Sequence, residues 1–66
     1  MNISSIIKEL RAEKGLSQAE LAKKINVSQK AIDYWERGVN EPKASYIVAL
    51  ADFFDVSADY LLGRKE

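Results

Sequence analysis

Residues 17–38, SQAELAKKINVSQKAIDYWERG, constrain the fold more than any other part of this chain. Ser17 is a hydroxyl N-cap and Glu20, three residues on, completes a capping box, so a helix starts at Gln18. Leu21, Ala22 and Ile25 fall on one apolar stripe of that helix. Asn26 interrupts it, because after glycine asparagine is among the residues that best tolerate a left-handed backbone at a helix C-terminus. Val27 turns inward and Ser28 caps a second helix. Ile32 and Trp35 lie on its inner face at i and i+3, and Gly38 stops it.

Two helices of about eight or nine residues with a break of three or four between them form a helix-turn-helix. Ala22 fits that geometry, since a small side chain lets the second helix cross the first closely. Gln29, Lys30, Asp33, Tyr34 and Arg37 remain on the outside of the second helix. They make a polar, hydrogen-bonding face that core packing does not require.

The rest of the chain supplies three more helices. Asn2 caps the first, whose inner stripe is Ile3, Ile6, Ile7 and Leu10; Gly15 ends it, and Leu16 takes the apolar position just before the next cap. Pro42 opens a fourth helix that runs to about Phe54, with Ile47, Leu50, Ala51 and Phe54 inward. Asp55 tolerates the left-handed turn at its end. Val56 packs in, Ser57 caps a short fifth helix that brings Leu61 and Leu62 to the core, and Gly63 ends it. Five short helices and no strand predict an all-α fold, a compact five-helix bundle. It is expected to be a single domain over residues 1–66, with the helix-turn-helix at about 17–37.

Composition removes several classes of function. With no Cys and no His, disulfides, the usual zinc sites and the commonest general base are absent. No carboxylate is set beside a nucleophile and no glycine-rich phosphate loop is present, so neither an enzyme nor a metal or cofactor site is expected. The longest uncharged apolar run, residues 46–51, is far too short to cross a bilayer. No basic region precedes an apolar one at the N-terminus, and a cytoplasmic protein is expected. Ten Lys and Arg balance ten Asp and Glu, whereas a nucleic-acid-binding domain is ordinarily basic. The distribution is uneven, however: residues 1–43 carry eight basic and six acidic groups, and residues 44–66 two basic and four acidic. The positive excess lies on the half that holds the helix-turn-helix.

Arg11, the run GLSQAELA at 15–22, Val27-Ser28, Ile32, Trp35-Glu36, Gly38, Pro42, Val56-Ser57 and Leu61-Leu62 together make a pattern that covers nearly the whole chain. The pattern resembles the phage repressor and Cro group of helix-turn-helix regulators, the XRE family, and in particular the lambdoid phage repressor DNA-binding domains. Two positions depart from it: Asn26 and Asp55 stand where the family usually has glycine. The resemblance implies a lambda-repressor-like domain whose helix beginning after Ser28 enters the major groove while the helix beginning at Gln18 abuts the backbone. Position by position, Ser28, Gln29, Lys30 and Tyr34 match base-facing residues. Gln18 matches a phosphate contact, and Arg37 and Lys43 match positions near phosphate or the minor groove. Arg11 and Glu36 match a pair that joins the first helix to the end of the recognition helix, with a phosphate contact as a second role for Arg11. Glu41, Ala58 and Tyr60 match a two-fold dimer contact, and Phe53 is more apolar than a solvated surface needs.

The function so implied is sequence-specific binding of double-stranded DNA by a transcriptional regulator. A repressor is expected, acting as a homodimer on a palindromic operator, with no membrane partner. The alternative is an antitoxin-like protein-interaction module that binds DNA weakly, which the zero net charge favours. In the first reading Gln29 bonds the N6 and N7 edge of adenine and Lys30 donates to guanine O6 and N7, each pairing discriminating by about 1–3 kcal/mol. Tyr34 reaches a phosphate or a thymine methyl, or covers the core edge. Asp33 repels phosphates; it either accepts from cytosine N4 or pairs with Arg37 one turn on, and the pairing is the simpler reading. Trp35 belongs to the core. Lys8, Lys14, Lys23 and Lys24 are solvated and add long-range attraction.

Overall fold

Each helix boundary is set by a cap that can be named. In the computed structural model, which describes residues 2–64, α1 (Ile3–Glu13) starts where the Asn2 side chain accepts the Ser5 amide at 3.0 Å. α2 (Gln18–Ile25) starts in the capping box: Ser17 accepts the Glu20 amide at 3.0 Å, and Glu20 accepts the Ser17 amide at 2.8 Å. Ser28 and Ser57 cap α3 (Gln29–Arg37) and α5 (Ala58–Leu61) in the same manner. Asn26 and Asp55 take the left-handed conformation, with φ of 62° and 57°, and so do the work that glycine usually does at those turns. Glycine serves at Gly38, where φ is 74°.

α4 (Ala44–Phe54) departs from the expectation that Pro42 opens it. Lys43 is its N-cap, with no side-chain cap hydrogen bond, and Pro42 lies one residue before that cap. The cause is burial: the apolar Pro42 ring is inside the protein, in the position that pairs with the fourth helical residue, here Ile47, across a helix N-terminus.

The described residues are all-α, and their core takes one fully buried large side chain from each helix: Ile7, Leu21, Ile32, Leu50 and Leu61. Burying such a side chain contributes about 1.5–3 kcal/mol. α3 packs on both α1 and α2, so it lies at the centre with one face left over. Ile3, Ile6, Leu10, Ala22, Trp35, Ala51 and Phe54 complete the core, and Ile25, Val27, Ile47 and Val56 pack half-buried at its edge. Leu62 does not join it: the side chain is 42% exposed. α5 is a single turn that ends at Leu61, and one turn can aim only one of two adjacent leucines inward.

Candidate nucleic-acid interface

The outer face of α3 is held in place from behind. Ile32 and Trp35 are buried, and Trp35 meets Tyr46 of α4 at 5.5 Å between ring centroids. At the start of α3, Asn26 reverses the chain and the Val27 amide returns to the Ala22 carbonyl at 2.9 Å. At its end the Gly38 and Val39 amides donate to the carbonyls of Trp35 and Tyr34 at 3.3 and 3.0 Å, which closes the helix in a Schellman motif. Ala22 is buried between α2 and its neighbours, as a close crossing requires.

A polar network ties the three N-terminal helices together. Arg11 of α1 donates from Nε to Glu36 Oε2 at 2.6 Å and from Nη2 to Glu36 Oε1 at 3.0 Å, while its Nη1 donates to the Leu16 carbonyl at 2.8 Å. The bond to Glu36 holds the Arg11 guanidinium above its ordinary pKa, against the opposing effect of burial. Gln18 Nε2 donates to Glu36 Oε1 at 3.1 Å and to Asp33 Oδ1 at 3.4 Å. Asp33 Oδ2 accepts Arg37 Nε at 3.1 Å, the i,i+4 pairing anticipated for these two residues. Among the described residues no buried side-chain nitrogen or oxygen is left without a partner.

These bonds bear on the residues named from the sequence. Gln29, Lys30 and Arg37 are exposed on one side of α3, and Ser28 is exposed at its cap, where its hydroxyl accepts the Ala31 amide at 3.1 Å. Tyr34 is half-buried, its ring flanked by Lys30 Nζ at 5.9 Å and the Arg37 guanidinium at 5.6 Å. Across an open cleft of about 490 Å³, Lys43 stands 5.3 Å from the Tyr46 ring, so Lys30, Tyr34, Lys43 and Tyr46 line one concave surface. Gln18 differs from expectation in orientation: its amide hydrogens face α3 carboxylates. Arg11 is committed to Glu36 and Leu16, with its side chain 17% exposed. Two contacts have no counterpart among the expectations from sequence: Tyr46 beside Lys43, and the link from Asp33 to Gln18. Side chains fifteen residues apart in the chain carry no periodic signal that would reveal such a link.

Of the residues named for a dimer contact, Glu41 and Ala58 are exposed and Tyr60 is 39% exposed. Phe53 is half-buried, edge-on to Phe54 at 5.1 Å and capped by Lys14 Nζ at 5.7 Å. Val39, Val48 and Leu62 add further exposed apolar groups.

This arrangement has close counterparts. A profile of the helix-turn-helix family matches residues 7–61. The transcriptional regulator ImmR of Bacillus subtilis is 33% identical over 66 residues, which is 100% of this chain and 52% of ImmR. The crystal structure of the c2 repressor of Salmonella phage P22 with a synthetic operator superposes with a TM-score of 0.92 at 34% identity, covering 98% of both chains. The biofilm regulator SinR in complex with DNA gives a TM-score of 0.82 at 33% identity, over 89% of this chain and 95% of that one. The chain spans 26% to 57% of the length of the curated relatives it matches. By its profile match, its identity to these regulators and its superposition on a repressor domain, the chain belongs to the phage-repressor and Cro type of helix-turn-helix protein, the XRE family.

Proposed function

We propose that the protein is a sequence-specific double-stranded DNA-binding transcriptional regulator, a repressor that acts as a dimer with α3 in the major groove, and that it is not an enzyme. The carrying observation is the outer face of α3: Gln29, Lys30 and Arg37 stand free of the core on a helix rigidly backed by Ile32 and Trp35. Two such helices about 34 Å apart reach successive major grooves on one face of a duplex. Gln29, Lys30 and Tyr34 read base edges, with Ser28 at the rim. Arg37, Lys43 and the N-terminus of α2 beside Gln18 set the register on phosphates, and Arg11, bonded to Glu36 and Leu16, adds a phosphate contact only as a second role. Glu41, Phe53, Ala58 and Tyr60 lie at the contact between subunits. The proposed regulator acts in the cytoplasm, and among the described residues no helix is long and apolar enough to cross a membrane.

A salt titration tests this reading. Duplex binding that weakens steeply and linearly on a log–log plot as salt rises supports it. Binding to no duplex in dilute buffer favours the protein-interaction alternative.

A further inference from the structure

Asp33 is out of place on a surface meant for a polyanion. It sits on the outer face of α3 with Lys30 and Arg37 one turn away on either side. Both of its oxygens are engaged, and by donors from different helices: Gln18 Nε2 at 3.4 Å from the start of α2, and Arg37 Nε at 3.1 Å from the end of α3. The same Gln18 nitrogen also donates to Glu36 Oε1 at 3.1 Å, so both acceptors of this amide are carboxylates of α3. One carboxylate thus occupies a donor from each half of the helix-turn-helix, and both donors are among those that would otherwise meet phosphate.

We propose that Asp33 is a brake on backbone binding: it holds Gln18 and Arg37 in place of phosphate, and it opposes the phosphates once those donors are released. The inference rests on the DNA-binding reading. The Asp33–Arg37 pair is exposed at both ends, at 37% and 60%, and exposed pairs are weak. The Arg37 guanidinium makes a charge-assisted bond to either anion, but contact with a duplex phosphate also releases condensed counterions, which the pair with Asp33 does not. A duplex therefore takes the donors over, and the carboxylate is left bare beside a polyanion. Both effects act through backbone charge and so fall on every duplex alike. Complexes held only by backbone contacts become too weak to persist, whereas an operator recovers the loss through base contacts from Gln29 and Lys30.

Asp33→Asn keeps the shape and removes the charge. Circular dichroism verifies the fold of the variant. Two readouts are compared with the wild type: salt elution from heparin, a polyanion without bases, and affinity for a random-sequence duplex. Later elution is expected, with affinity raised about three- to tenfold at roughly 0.1 M salt. The log–log salt slope should steepen by about one. In an Arg37→Ala or Gln18→Ala background the gain should shrink. Unchanged heparin retention overturns the proposal, as does a gain of the same size in both backgrounds. A protein that shows the Asp33→Asn shift on heparin but selects no duplex sequence keeps the brake and loses the proposed function. One that selects a sequence while Asp33→Asn has no effect does the reverse.

Discussion

Arg11 on α1 and Glu36 on α3, twenty-five residues apart in the chain, meet through two parallel hydrogen bonds at 2.6 and 3.0 Å, and the Glu36 side chain is only 3% exposed. The pair ties the C-terminal half of α3 to α1, and the hydrogen bonding continues through Gln18 and Asp33 to Arg37 on the outer face.

Removing the arginine leaves a buried carboxylate with only the Gln18 amide as a partner. Arg11→Ala is expected to cost about 3 kcal/mol, in a domain whose whole stability is about 3–5 kcal/mol. Urea denaturation should therefore show the variant partly unfolded without denaturant. Arg11→Met with Glu36→Leu, which replaces both charges by apolar groups, should be more stable than Arg11→Ala. A double variant as unstable as the single one would show that the pair matters for something other than its buried charge.

The left-handed residues at the ends of α2 and α4 predict gains. Asn26→Gly and Asp55→Gly remove a Cβ from a conformation that L-residues resist, and each should stabilise by about 0.5–1 kcal/mol. Alanine at either position should destabilise. The measurement is the midpoint of chemical denaturation, and stabilisation by alanine would mean the turns relax away from positive φ.

Capping chemistry makes part of the stability depend on pH. The Ser17 amide donates to Glu20, and this bond, more than any other influence, lowers the Glu20 pKa from its ordinary 4.5. A lowered carboxylate contributes stability that is complete above the ordinary value and is lost as pH falls through the folded-state value. Thermal melts between neutral pH and the acid side of that value should show the loss in the wild type. Glu20→Gln, which keeps the box without the titration, should show a smaller one; equal slopes would place the pH dependence elsewhere.

Much of the fold is legible in the sequence. Ser17 with Glu20, Asn26, Ser28 and Gly38 are local signals, each acting within a few residues, and together they located α2, the turn and α3. Pro42 and Leu62 differ from their local signals because tertiary burial decides their fate: the proline ring is drawn inside ahead of the cap, and a one-turn α5 has room to bury only Leu61. Within the candidate interface, helical spacing was enough to separate Gln29, Lys30 and Arg37 from Ile32 and Trp35. The orientation of Gln18 was not legible, because it depends on carboxylates fifteen and eighteen residues away. A spacing rule reaches only one turn; a cross-helix hydrogen bond needs the packing angle.

Contacts to backbone and to bases should fail differently. Lys43 lines the cleft beside Tyr46; on the proposed phosphate role, Lys43→Ala should weaken binding to all duplexes evenly and flatten the salt slope by about one. A loss confined to particular sequences would place Lys43 on a base edge.

Whether the outer face of α3 reads base edges is decided by selection from a randomised duplex pool at low salt, with the wild type and with Gln29→Ala. The wild type should enrich a two-fold symmetric sequence, and Gln29→Ala should enrich the same sequence with preference lost at one position of each half-site. No enrichment by the wild type, or a Gln29→Ala variant that binds every sequence more weakly with its preferences intact, would contradict base readout by α3.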